Sequence, residues 1–126
     1  IMLGTNDTKA RFAVPASDIA RGMRQLVRAV QTSETGPGKG EPRVGIVAPA
    51  HLGEETAFGE MFAGAHERSL ALAEEYRIVA EELDVPFLDA AAHVECPFPD
   101  GIHLDAEGQR TLGEVLGRWI REELLD

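Results

Sequence analysis

The sequence predicts an α/β protein in which a parallel sheet carries helices on its faces. Three observations predict it. Short apolar runs rich in β-branched residues alternate with amphipathic stretches of helical period along the 126 residues, the signature of strand–helix–strand units. The loops that carry candidate polar groups follow the strands, and sheets of this kind place their sites at the carboxyl ends of strands. The composition, 44% hydrophobic and 27% charged, is that of an ordinary globular domain, and a chain this long can bury roughly two thirds of its surface in one core.

Taken in order, Ile1-Met2-Leu3 leads directly into Gly4-Thr5-Asn6-Asp7. Three apolar residues before a Gly/Asn/Asp turn read as the last part of a buried strand. A strand whose beginning is missing makes residues 1–126 the C-terminal portion of one longer domain. Pro15-Ala16-Ser17-Asp18 starts a helix, with Ser17 as cap and Asp18 favouring the positive end of the dipole. Ile19, Met23, Leu26, Val27 and Val30 then recur three and four apart on one face, and the helix ends near Thr32. Residues 33–42 are a polar loop. Arg43 to Pro49 is a buried strand that Pro49 ends. After an irregular segment, a long helix runs from about Glu60 to Leu83, with Phe62, Leu70, Ala73, Tyr76, Val79 and Leu83 facing inward and Gly64 weakening its first turns. Val85 to Leu88, ending in Asp89, is a third strand. Residues 90–99 form a loop with room for one helical turn. Asp105 caps a final helix whose apolar stripe is Leu112, Val115, Leu116, Trp119, Ile120 and Leu124.

Several function classes are disfavoured. The formal net charge is −10, whereas nucleic-acid binding needs a basic footprint; the same charge disfavours anionic membrane. No apolar run approaches a membrane span. Cys96 is the only cysteine, so neither an internal disulfide nor a cysteine metal cluster is available. No His/Cys/acid spacing suggests a metal site, and no cofactor is expected. A glycine-rich phosphate loop is absent, which disfavours a nucleotide-binding module.

Chemistry concentrates in two stretches. Asp100-Gly101-Ile102-His103 lies on a Pro/Gly-rich loop directly before the last helix. An acid three residues before a histidine can orient an imidazole and leave its outer nitrogen free as a base. Gly4-Thr5-Asn6-Asp7 lies after the first strand. A side-chain amide there is a neutral donor at every working pH, and glycine suits a tight turn close to a ligand. Asp7 reads as a hydrogen-bonding partner of that turn.

With Met2-Leu3-Gly4-Thr5-Asn6-Asp7-Thr8-Lys9 ahead of Asp100-Gly101-Ile102-His103, the chain resembles the SGNH (GDSL-type) hydrolases, blocks III and V, and within them the small bacterial aryl esterases and acyltransferases. The resemblance implies a flavodoxin-like three-layer α/β/α fold and a serine hydrolase acting on short-chain esters through an acyl-serine, by hydrolysis or acyl transfer. It implies His103 as base, Asp100 as its orienting acid, Asn6 as oxyanion donor and Gly4 as the oxyanion turn. The family's Gly-Asp-Ser nucleophile block and its block II glycine are absent from these residues, so both are expected in a segment before Ile1. Phe12, Phe58 and Phe62 flank the two loops and are candidate walls of an acyl or alcohol pocket. Lys9 and Arg11 stand near enough to steer an anionic substrate. The expected partners are a small-molecule ester and that preceding segment, and the subgroup implies a homo-oligomer. A cytoplasmic location is favoured, although any targeting signal would precede Ile1.

Each assignment has a plainer alternative. Asn6 could be only a turn residue, His103 only a helix-flanking histidine, and Phe62 only core. Ser17 reads as a cap, Ser33 as loop and Ser69 as mid-helix. Cys96 is conceivable as a thiol nucleophile near His103, but a lone cysteine is more often a small buried hydrophobe. His51, His66 and His93 lack a loop acid at comparable spacing, and His66 among Glu60, Glu67 and Glu74 reads as a solvated face. The competing function is a non-catalytic fragment or interaction domain on a hydrolase scaffold.

Overall fold

The structure, a computed structural model, describes residues 1–125. Its main elements are α1 (Ala16–Gln31), β1 (Ile46–Ala48), α2 (Ala65–Leu83), β2 (Phe87–Asp89) and α3 (Ala106–Glu123), joined by short 3-10 turns. The strands β1 and β2 pair in parallel, Ile46 with Phe87, Val47 with Leu88 and Ala48 with Asp89, with α2 as the crossover that a parallel pair needs. Ile1 adds a rung on the other edge of β1: its amino group donates to the Gly45 carbonyl at 2.7 Å and its carbonyl accepts from the Val47 amide at 2.9 Å.

Alternation along β1 separates the layers. Ile46 and Ala48 point to one face, where they meet Ile19, Met23 and Val27 of α1 and Leu72, Tyr76 and Val79 of α2. Val47 points to the other face and packs with Ala90 and Leu112, flanked by Leu116 and Trp119 of α3. A strand buried on both faces needs apolar residues at every position, and Ile-Val-Ala meets that need. The result is the expected three-layer α/β/α arrangement. Each large side chain fully withdrawn from water contributes on the order of 1.5–3 kcal/mol. A third cluster, including Leu52, Phe62, Cys96 and Ile102, lies past the carboxyl ends of the strands and supports the loops there.

Several boundaries differ from the sequence reading. Met2 and Leu3 are exposed; only Ile1 keeps a strand-like bond pattern. Ser17 does not cap α1, because Pro15 is the residue before the first turn and no side chain caps it. Asp18 does sit in that turn, where it pairs with Arg21 at 3.0 Å. The strand expected over residues 43–49 shortens to Ile46–Ala48, and that expected from Val85 starts two residues later, at Phe87, and ends at Asp89 as expected. The long second helix is broken. A 3-10 turn (Gly59–Phe62) precedes Gly64 at φ +69°, and only then does α2 begin. Leu26, Leu70 and Ile120 face solvent; Leu26 and Ile120 flank their apolar stripes, whereas Leu70 lies on the far side of α2 from its buried residues. Two further expectations hold: a 3-10 turn over Ala90–Ala92, and Asp105 as the cap of α3, its Oδ1 accepting from the Gly108 amide at 2.8 Å.

Candidate active site

Asp100 is the pivot of the second loop. Its Oδ1 accepts from the backbone amides of Ile102 (2.9 Å) and His103 (2.6 Å). Such a turn follows from a short acid two or three residues before the amides it binds. Gly101 makes the bend possible at φ +68°, and a Cβ there would collide with the Glu55 carbonyl oxygen. Both carboxylate oxygens then lie 3.1 Å from Nδ1 of His103. A carboxylate on Nδ1 assigns the neutral ring's proton to that nitrogen and leaves Nε2 as the acceptor. The amide of His103, its imidazole and the amide of Ile102, in that order, hold the Asp100 carboxyl below the usual carboxylate range. The imidazole is 69% exposed, so these contacts, not burial, fix its direction.

Asn6 comes from the other end of the chain. Gly4 at φ +124° turns the backbone after Ile1's rung, and its carbonyl accepts from the Asp7 amide at 3.0 Å. This closes a 3-10 turn (Thr5–Thr8) that carries Asn6 outward, exposed and without a side-chain partner among the described residues. Asp7 serves the turn through its backbone amide; its carboxylate is exposed and helps to raise the buried Tyr76 phenol above its ordinary value, after burial itself. Arg68 of α2 fixes the far end of the turn. Its Nε and Nη2 donate to the Thr8 carbonyl at 3.1 and 2.6 Å, and Nη2 also donates to the Ala63 carbonyl at 2.7 Å.

Asn6 and His103 meet in one cleft of about 270 Å³, whose lining also includes Thr5, Pro49 and Cys96. Asn6 follows Ile1, Pro49 follows β1 and His103 follows β2, so the cleft lies at the carboxyl edge of the sheet. Phe58 and Phe62 are close by. Phe58 stands edge-on to His103 (centroids 5.8 Å) and to Phe62 (6.1 Å). Phe62 is buried and lines a larger neighbouring cavity of about 940 Å³ together with Glu54, Glu55, Glu67 and His66. Phe12 is not brought to the cleft; it is exposed, with the Arg11 guanidinium 4.8 Å from its ring. The ammonium of Lys9 sits 5.6 Å from the Phe62 ring.

His66 and the nucleophile candidates find other employment. His66 is not on a solvated face: it is mostly buried, with Nδ1 2.7 Å from the Leu52 carbonyl. Ser69 is buried, donating to the His66 carbonyl and accepting from the Leu52 amide. None of Ser17, Ser33 and Ser69 bonds to His103. Cys96 reaches the cleft lining, yet its thiol points to the Ile102 carbonyl at 3.2 Å and burial pushes it up to about 11. A thiol is nucleophilic only as thiolate. At pH 8 iodoacetamide is therefore expected to modify Cys96 on the order of a hundredfold more slowly in the native protein than after unfolding. Equal rates, read by mass spectrometry, would return Cys96 to the list of nucleophiles. Among the described residues no group of three or more His, Cys, Asp or Glu side chains could hold a metal ion, and no helix is long and apolar enough to cross a membrane.

Thr56 and Arg68 were not singled out by sequence. Their roles depend on carbonyls brought close by the fold, and no local motif announces that.

Comparison with known proteins shows the family. Residues 1–111 match the GDSL-like lipase/acylhydrolase family. Among solved structures, the aryl esterase of M. smegmatis superposes with TM-score 0.91 at 39% identity, covering 98% of this chain and 60% of that one. A carbohydrate acetylesterase from Sinorhizobium meliloti superposes with TM-score 0.91 at 36% identity, covering 97% and 59%. The chain thus spans about 60% of the length of the structures it matches. No curated protein matches it.

Proposed function

Because the chain belongs to the GDSL-like lipase/acylhydrolase family, we propose that it supplies the base, the orienting acid and one oxyanion donor of a serine esterase whose nucleophile lies in a segment preceding Ile1. The observation that carries this reading is the Asp100–His103 pair, both carboxylate oxygens 3.1 Å from Nδ1, opening on the cleft that Asn6 also lines.

The chemistry follows from those positions. Nε2 of His103 takes the proton from the serine hydroxyl as the oxygen attacks the ester carbonyl. The carboxylate of Asp100 stabilises the imidazolium that results. The carbonyl oxygen becomes an oxyanion and accepts a hydrogen bond from the Asn6 amide, and one such donor is typically worth about 3–4 kcal/mol. The imidazolium then protonates the departing alcohol. Water, or a second alcohol, releases the acyl group with His103 again as base. A cleft of about 270 Å³ suits a short acyl chain. The aryl esterase and carbohydrate acetylesterase neighbours make acetyl esters of phenols and sugars the first substrates to try. Neither Phe58 nor Phe62 lines that cleft, so its apolar wall comes from Pro49, Ala50, Leu104 and Leu112.

Fluorophosphonate labelling of the full-length protein, mapped by peptide mass spectrometry, tests the assignment. The expected product is a single adduct on a serine before Ile1, abolished by His103→Ala. Absence of any adduct, or an adduct on Ser17, Ser33 or Ser69, would overturn it.

A further inference from the structure

The imidazole of His103 is 69% exposed, so the packing that usually fixes a base is missing. Two groups touch it, the Asp100 carboxylate and the edge of the Phe58 ring. They belong to loops 42 residues apart in sequence, and one hydroxyl joins those loops at this point. Thr56 Oγ1 donates to the Asp100 backbone carbonyl at 2.7 Å and accepts from the Phe58 amide at 3.1 Å. Flanking backbone bonds run parallel to it: the Gly53 amide donates to the Gly101 carbonyl at 2.8 Å, and the Ala57 amide to the Pro99 carbonyl at 2.9 Å. Those set the distance between the loops. Only the Thr56 hydroxyl bonds directly to the two residues that contact the ring.

Building on the esterase reading, we propose that Thr56 is a positioning residue of the Asp100–His103 pair, its hydroxyl registering the carboxylate and the Phe58 ring on either side of the imidazole. The hydroxyl is required because it must donate and accept at once. Valine has the same shape and can do neither, whereas serine keeps both functions. Without the hydroxyl, Asp100 and Phe58 shift independently, and an exposed imidazole then samples rotamers that turn Nε2 from the cleft. Small misplacements of a reacting group are costly in rate, whereas substrate binding to the walls is untouched, so the loss falls on kcat.

The test compares Thr56→Val and Thr56→Ser in the full-length protein. Thr56→Val is expected to lower kcat about tenfold or more with KM within about twofold, and Thr56→Ser to restore wild-type kcat. Nuclear magnetic resonance of the same samples supplies a readout independent of turnover. Long-range proton–nitrogen correlations are expected to show the His103 proton on Nδ1 in wild type and Thr56→Ser, and a mixture of tautomers in Thr56→Val. The Phe58–His103 ring-to-ring Overhauser contact is expected to disappear only in Thr56→Val. Unchanged tautomer and ring contact in Thr56→Val would overturn the proposal, as would equal losses in the serine and valine variants. Because the resonance readout needs no turnover, a protein without esterase activity still decides whether Thr56 positions the pair, and the esterase reading alone then fails. Should Thr56→Val not fold, Phe58→Leu removes the other side of the clamp. It is expected to mobilise the His103 ring while leaving the proton on Nδ1; an unmoved ring overturns the role assigned to Phe58.

Discussion

Replacing His103 by alanine in the full-length protein is expected to reduce kcat by about 10⁴–10⁶-fold while leaving the fold intact. The two halves of that expectation have separate causes. The loss in rate follows because no other group at the cleft can take the serine proton. His66 is tied to the Leu52 carbonyl, and the described residues hold no other histidine in the cleft lining. The preserved fold follows because the imidazole is exposed, hydrogen-bonds within its own loop to Asp100 and meets the Phe58 ring edge-on; surface substitutions of this kind usually change stability by less than about 0.5 kcal/mol. Steady-state kinetics on a phenyl acetate together with a thermal melt separate the two. Near-normal turnover would sink the assignment of His103 as base, and a collapsed melt would make the kinetic loss uninformative.

The second large effect belongs to Asn6. Asn6→Ala is expected to lower kcat by about 10²–10³-fold with little change in KM. An oxyanion donor binds charge that develops only in the transition state, so the ground-state complex should not sense the change. The structure makes the substitution clean. The turn that carries Asn6 is closed by backbone, the Gly4 carbonyl to the Asp7 amide, and by Arg68 on the Thr8 carbonyl. The Asn6 side chain has no part in either and no internal partner among the described residues. A rise in KM at constant kcat would instead make Asn6 a binding residue.

What the sequence made legible divides by range. The Asp100–His103 contact could be read in advance because all of it lies within one four-residue turn, where a short acid and a glycine dictate the geometry. The face of α1 was readable through Ile19, Met23 and Val27, which repeat at the helical period and are buried. In α2 the apolar residues spread round the helix, so Leu70 read as inward and Leu72 went unnamed, yet Leu72 is buried and Leu70 is not. Only packing against α1 and β1 separates them. Thr56 and Arg68 were beyond reach for a related reason. Each acts on a carbonyl far away in sequence, Thr56 on Asp100 and Arg68 on Thr8, and a hydroxyl or guanidinium seen in isolation looks like surface. Phe12 failed in the opposite sense. Adjacency in sequence to the Asn6 turn suggested the cleft, but the chain carries its ring to the outside.

Gly4 and Tyr76 constrain each other. The Tyr76 hydroxyl donates to the Leu3 carbonyl at 2.9 Å and occupies the space beside Gly4, 2.5 Å from where any Cβ would begin. Mutational drift at either position is therefore conditional on the other. A side chain at position 4 meets the phenol, while loss of the phenol hydroxyl leaves the Leu3 carbonyl without its donor. Even with both replaced, the backbone at φ +124° still favours glycine. For anyone recombining this chain with a relative, the practical unit of inheritance includes α2 along with the Gly-x-Asn turn. A chimera whose crossover falls between residues 4 and 76 inherits a site loop from one parent and the post that shapes it from the other.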